Sequence, residues 1–78
     1  MAIDDDEFVE RVVHATLRQV EVTELAEQTF GDAEKAREWL LRPLYELSGR
    51  TPLDVAQTDA GARFIKTILG KIAWGAAD

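Results

Sequence analysis

The sequence predicts an all-α fold, a small bundle of four to five helices expected to pair as a homodimer. Three observations carry this. Apolar residues recur at helical spacing along the whole chain, and no segment alternates as a strand does. Start and stop residues punctuate that pattern at Gly31, Asp32, Pro43, Gly49, Thr51, Pro52 and Thr58. The chain is also short: 78 residues, with no cysteine and one histidine. A domain of that size is marginal alone and usually needs a disulfide, a metal, a partner subunit or an unusually good core. Without cysteine there is no disulfide, and one histidine cannot complete the common Cys/His zinc sites. A partner subunit or an unusually good core remains. The 46% apolar content belongs to a globular chain rather than a disordered one.

The elements follow in order. From Asp4 to Glu21, the residues Phe8, Val9, Val12, Val13, Leu17 and Val20 share one broad helix face. Glu10, His14, Arg18 and Glu21 lie on the other, which reads as solvated. The start Asp4-Asp5-Asp6-Glu7 suits the positive end of a helix macrodipole. The pattern then shifts. Val22, Leu25, Ala26 and Phe30 define a face rotated by roughly 130°, taking 100° per residue. Either the helix breaks near Val22-Thr23, with Thr23 capping a new one, or one long helix changes what it packs against halfway along. The second alternative leaves a face without an internal partner and so implies another subunit.

Gly31 reads as a C-cap and Asp32 as the cap of the next helix, which carries Ala33, Ala36, Trp39 and Leu40 on one face. Pro43 marks its stop. Leu44, Tyr45 and Leu47 lie in a connection that closes at Ser48-Gly49. Thr51-Pro52-Leu53-Asp54 is a compact start signal: N-cap, proline at the first helical position, and an acid at the third. It opens a short helix with Leu53, Val55 and Ala56. Thr58 caps the last helix, whose apolar stripe is Phe64, Ile65, Ile68, Leu69 and Ile72, with Arg63, Lys66 and Lys71 beside it and Gly75 at its end. No repeat or linker divides the chain. Residues 1–78 read as a single domain, 1–24 an acidic N-terminal helix and 25–78 the remainder.

Charge narrows the function. Residues 1–39 hold eleven acids against four Lys and Arg, net −7, and residues 40–78 hold four against five, net +1, which together give the −6 of the whole chain. A pI near 4.6 argues against direct binding to nucleic acid or to an anionic membrane, both of which call for cationic surfaces. The acidic start is unlike a secretory signal, and no apolar run approaches the ~20 residues of a membrane span. A cytoplasmic protein is expected.

The search for chemistry returns little. His14 has no second histidine for a zinc motif, and no metal or cofactor is expected. Ser48, the only serine, has no base near it in sequence. The five glycines form no phosphate loop. Glu24 with Glu27, and Glu34 with Glu38, read as solvated pairs. An enzyme is not expected. Trp39 shares the face of Ala36 and Leu40 and reads as core. Trp74 stands among small residues, Ala73, Gly75, Ala76 and Ala77, and is either core or an interface anchor.

An ordered set of residues then points to a family. Phe30-Gly31-Asp32, Ala36, Trp39-Leu40, Pro43, Leu47, Gly49-Arg50-Thr51-Pro52-Leu53-Asp54, Thr58, Gly61, Leu69 and Gly75 resemble the C-terminal toxin-binding domain of MbcA/ParS/Xre antitoxins, over about residues 25–75. The resemblance implies the antitoxin of a type II toxin–antitoxin pair. Such antitoxins form dimers and bind a RES-domain toxin, an enzyme that consumes NAD, blocking its active site in part with their C-terminal end. Carried onto this chain, the contact positions are Arg63, Lys66, Lys71, Trp74, Gly75 and Asp78. Asp78 and a terminal carboxylate would imitate an anionic group of the substrate. Gly31, Asp32, Trp39, Leu40, Gly49, Arg50, Thr51 and Pro52 would be structural. Many relatives carry an N-terminal helix-turn-helix domain that binds the operator; the roughly 24 residues before the resembling region are too few for one. Leu44 and Ala56 stand where typical members have Asn and Leu. The alternative to an antitoxin is a homodimerisation module that keeps this fold without binding a toxin.

Overall fold

The computed structural model describes the backbone of residues 5–77 and the side chains of residues 6–75. Its elements are α1 (Asp5–Phe30), α2 (Ala33–Leu40), a 3-10 turn (Tyr45–Leu47), α3 (Pro52–Val55) and α4 (Asp59–Ala77). There is no strand among the described residues, so the fold is all-α. Asp4 and Asp78 lie outside the described residues.

The phase shift near Val22 does not break the first helix. α1 is continuous for 26 residues, a rod of about 39 Å at 1.5 Å per residue. Thr23 caps nothing; its hydroxyl donates to the Gln19 carbonyl at 2.7 Å, one turn back. Only the second half of α1 is packed: Val22 and Ala26 are fully buried, with Leu25 and Phe30 half-buried beside them. The first half runs on past the bundle, which accounts for extents of 56 × 24 × 19 Å.

Local chemistry sets each following boundary. Gly31 takes φ 70°, in the left-handed region that a side chain disfavours, and its N–H closes α1 on the Glu27 carbonyl at 2.8 Å. The Asp32 carboxylate accepts from the N–H groups of Glu34 and Lys35, which α2 would otherwise leave without acceptors. α2 buries Ala36 and Leu40 and ends before Pro43. The Leu44 carbonyl accepts from both Leu47 and Gly49, and the Leu44 N–H donates to Arg50, so residues 44–50 form a closed turn. Thr51 accepts from the Asp54 N–H at 3.1 Å, and Thr58 from the Gly61 N–H at 3.0 Å. Asp54 does not reach back to close a capping box. Its two oxygens accept from Arg50 and Gln57 instead.

The core is one cluster: Val22, Ala26, Ala36, Leu40, Leu47, Ala56, Ala62, Ile65 and Leu69. Trp39 packs against it from the edge, its ring 5.8 Å from that of Phe30 and tilted by 48°. Two hydrogen bonds pin the middle of α1 to the α3 region. Gln19 donates to the Leu53 carbonyl at 2.9 Å, and Arg18 to the Gln57 carbonyl at 2.8 Å. Arg18 is therefore not on a purely solvated face with Glu10 and His14. Gly75 does not end the last helix either, because α4 continues to Ala77.

Candidate interaction surface

α4 has two faces with different work. Ala62, Ile65 and Leu69 are buried against α1 and α3. Phe64 is not with them. It is 48% exposed, at the edge of the stripe that turns away from the core. At 100° per residue, Phe64, Thr67, Lys71 and Trp74 fall on the outer side with Arg63. All five are exposed, and Trp74 is 79% exposed. Gly70 and Gly75 leave low ground beside Trp74.

The three cations assigned from sequence do not act as a group. Lys66 leans onto α1, where its Nζ lies 3.1 Å from a Glu21 carboxylate oxygen. Arg63 pairs with Asp59 on its own helix. Lys71 has no carboxylate within bridging distance among the described residues. The structure thus brings Arg63, Lys71, Trp74 and Gly75 to the outer part of α4 and places Lys66 at the α1–α4 boundary. Asp78 lies beyond the described residues.

Two aromatics ten residues apart on one helix face stand about 15 Å apart along the axis. Such a ridge suits a protein groove: each ring can fill a pocket, and large aromatics are enriched among residues that dominate binding energy. The helix beneath is held by its buried face, so little ordering remains to be done on binding.

Gly31, Asp32, Gly49, Arg50, Thr51 and Pro52 sit in turns and helix starts, and Trp39 and Leu40 in the packing of α2. Among the described residues there is no cluster of three or more His, Asp or Glu able to hold a metal ion. No described helix is long and apolar enough to cross a membrane.

The structure exposes two further apolar features, of which sequence reading missed the first and left the second open. Leu41 and Tyr45 project from the α2–α3 connection, Tyr45 almost fully uncovered. The residues Phe8, Val9, Val12, Val13, Leu17 and Val20 form the other, all roughly half-exposed on α1. The phase shift near Val22 was their signal.

The fold is thus a small all-α bundle with capped turns and an outer helix that exposes Phe64 and Trp74. The chain belongs to the antitoxin Xre/MbcA/ParS C-terminal toxin-binding domain family, whose model matches residues 25–75. It is also 38% identical over 58 residues to a protein named Antitoxin Xre from Pseudomonas putida (strain KT2440). That match covers 74% of this chain and 36% of the relative, so the chain spans about a third of that protein's length. No solved structure matches.

Proposed function

We propose that this protein is a homodimeric, non-enzymatic antitoxin that binds a cognate RES-type toxin, an enzyme that consumes NAD, and inhibits it by occluding its active site. The observation that carries the reading is Trp74, 79% exposed on the outer face of a helix whose inner face is locked into the core. Membership of a toxin-binding family supports it, as does the name of the Pseudomonas putida relative. In this reading Phe64 and Trp74 enter apolar pockets at the mouth of the toxin site. Lys71 and Arg63 meet carboxylates around it, and the residues from Gly75 onward reach inward. α4 would contribute most of one partner's share of an interface of standard size, about 800 Å².

The test is co-expression with the product of the adjacent gene, followed by purification and an NAD-consumption assay. A mixed complex with suppressed activity is expected. Trp74→Ala is expected to weaken inhibition by about 30-fold or more, the scale of an aromatic hot spot at about 2 kcal/mol. It should leave the folded state unchanged, because the ring contributes little to the core. Removal of residues 75–78 should weaken inhibition as well. A complex insensitive to both changes would place the contact elsewhere. A dimer that never takes up the partner would leave a dimerisation module.

A further inference from the structure

Gly31 and Asp32 turn the chain back after α1, and a groove of about 550 Å³ runs along the α1–α2 pair as far as α3. Leu40, Leu41 and Leu53 make one end of it apolar. Leu41 is 53% exposed there, although Leu40 beside it is buried. Glu27 and Glu34 line the other end, nearest the turn, and Arg37 stands between.

We infer that this groove seats an amphipathic helix of a second protein, lying parallel to α1, with apolar side chains over Leu41 and Leu53 and lysines or arginines at its C-terminal end. The inference does not rest on the toxin reading. Shape, charge and position each narrow the occupant.

The walls have helical spacing. Thr23 and Glu27 recur four residues apart on α1, and Ala33, Arg37 and Leu41 on α2. Ridges of that period receive the ridges of another helix. Ala33 to Leu41 spans about 12 Å, a little over two turns. An extended peptide would need a free sheet edge, and the described residues form no strand. A small molecule would need buried polar groups to orient it, and among the described residues no buried polar side chain lacks a partner.

Charge sets the occupant's direction. The four ion pairs of the described residues all lie elsewhere, so Glu27, Glu34 and Arg37 have no charged partner among them. A complementary helix brings cations to Glu27 and Glu34, and a carboxylate to Arg37 one turn of α2 further along. Cations are favoured at a helix C-terminus, where the macrodipole is negative. The occupant's C-terminus therefore points to the Gly31-Asp32 turn, the direction in which α1 runs. The net charge of −6 draws the same basic partner from a distance.

Position keeps the groove apart from α4. Glu21 is the α1 residue that Lys66 of α4 reaches. Thr23 lies about 200° on from it, taking 100° per residue. The groove and α4 thus take opposite flanks of α1, and a helix can occupy one while the outer face of the other is engaged.

The test uses the full chain and two fluorescein-labelled helical peptides of about four turns each. The first carries leucines four apart, then a glutamate, then a lysine-rich end. The second has the same residues with the charged positions exchanged. Fluorescence anisotropy is expected to show saturable binding of the first and binding of the second weaker by about tenfold or more. Leu41→Glu should weaken the first peptide by about tenfold or more, because the new carboxylate would be buried by the peptide. Glu27→Lys combined with Glu34→Lys should reverse the order of the two peptides. All three positions are exposed, so the near-ultraviolet circular dichroism of the Phe30–Trp39 packing should persist in each variant. Equal binding of the two peptides would overturn the inference, and so would no saturation of either below about a millimolar. Displacement of the first peptide by the product of the adjacent gene would assign the groove to the toxin instead. Self-association lost on Leu41→Glu would assign it to a second copy. Either outcome removes the separate partner.

Discussion

Gly61 shows how much a single atom decides. It lies in the first turn of α4, where alanine would ordinarily stabilise a helix by up to about 1 kcal/mol. Here a Cβ would run into the backbone carbonyl of Val55 and crowd the Thr58 hydroxyl that caps the helix. A backbone carbonyl cannot swing aside as a side chain can, so α3 and α4 would have to separate. Gly61→Ala is therefore expected to destabilise the fold by about 1–3 kcal/mol, the scale of an overpacked contact, in a urea titration. A variant as stable as the parent would mean that α3 does not sit against the start of α4. The residue was visible in the sequence as part of an ordered motif. Its reason was not, because the obstruction comes from an atom six residues back that only the turn at Ala56–Thr58 brings near.

At the scale of the element, the caps were legible and the edges of the helix faces were not. Asp32, Thr51 and Thr58 act on N–H groups two or three residues away, so spacing alone locates them. Whether a helix face is covered depends on where other elements come to rest, which spacing does not encode. Phe64 and Ile65 are neighbours in one apolar stripe, yet the core takes Ile65 fully and leaves Phe64 nearly half-exposed. Lys66 likewise read as one more cation beside the stripe, with nothing in the spacing to show that α1 brings Glu21 within 3.1 Å of it. The continuity of α1 falls in the same class. The shift at Val22 fits a broken helix and a straight one equally well, and the choice lies with α2 and α4, which grip only its second half. The two faces of α4 can be separated by experiment. Ile65→Ala should cost about 2–5 kcal/mol by loss of burial and creation of a cavity. Phe64→Ala should stay within about 0.5 kcal/mol in the chain alone, as for an ordinary surface position, and weaken toxin binding instead. Equal losses of stability would mean that both face the core.

For the whole molecule, the decisive quantity is the size of the core. Among the described residues, four of the nine in the buried cluster are alanines, Ala26, Ala36, Ala56 and Ala62, which bury little area each. The four ion pairs among the described residues are all substantially exposed, and pairs of that kind contribute about 0–1 kcal/mol each. With no disulfide to restrain the unfolded chain, a single copy has little margin. Pairing through α1 would supply what the core lacks, and mass action then ties stability to concentration. The melting temperature is expected to climb as the protein is concentrated from about one to a hundred micromolar, by several degrees if the dimer adds a few kcal/mol. In Val13→Glu, which sets a charge on the half-exposed apolar face of α1, that dependence should vanish and the curve should settle at the lower value. A parent protein whose melting temperature ignores concentration would show that the nine-residue core is sufficient alone. The long first helix would then stand out from the bundle for the sake of some other partner.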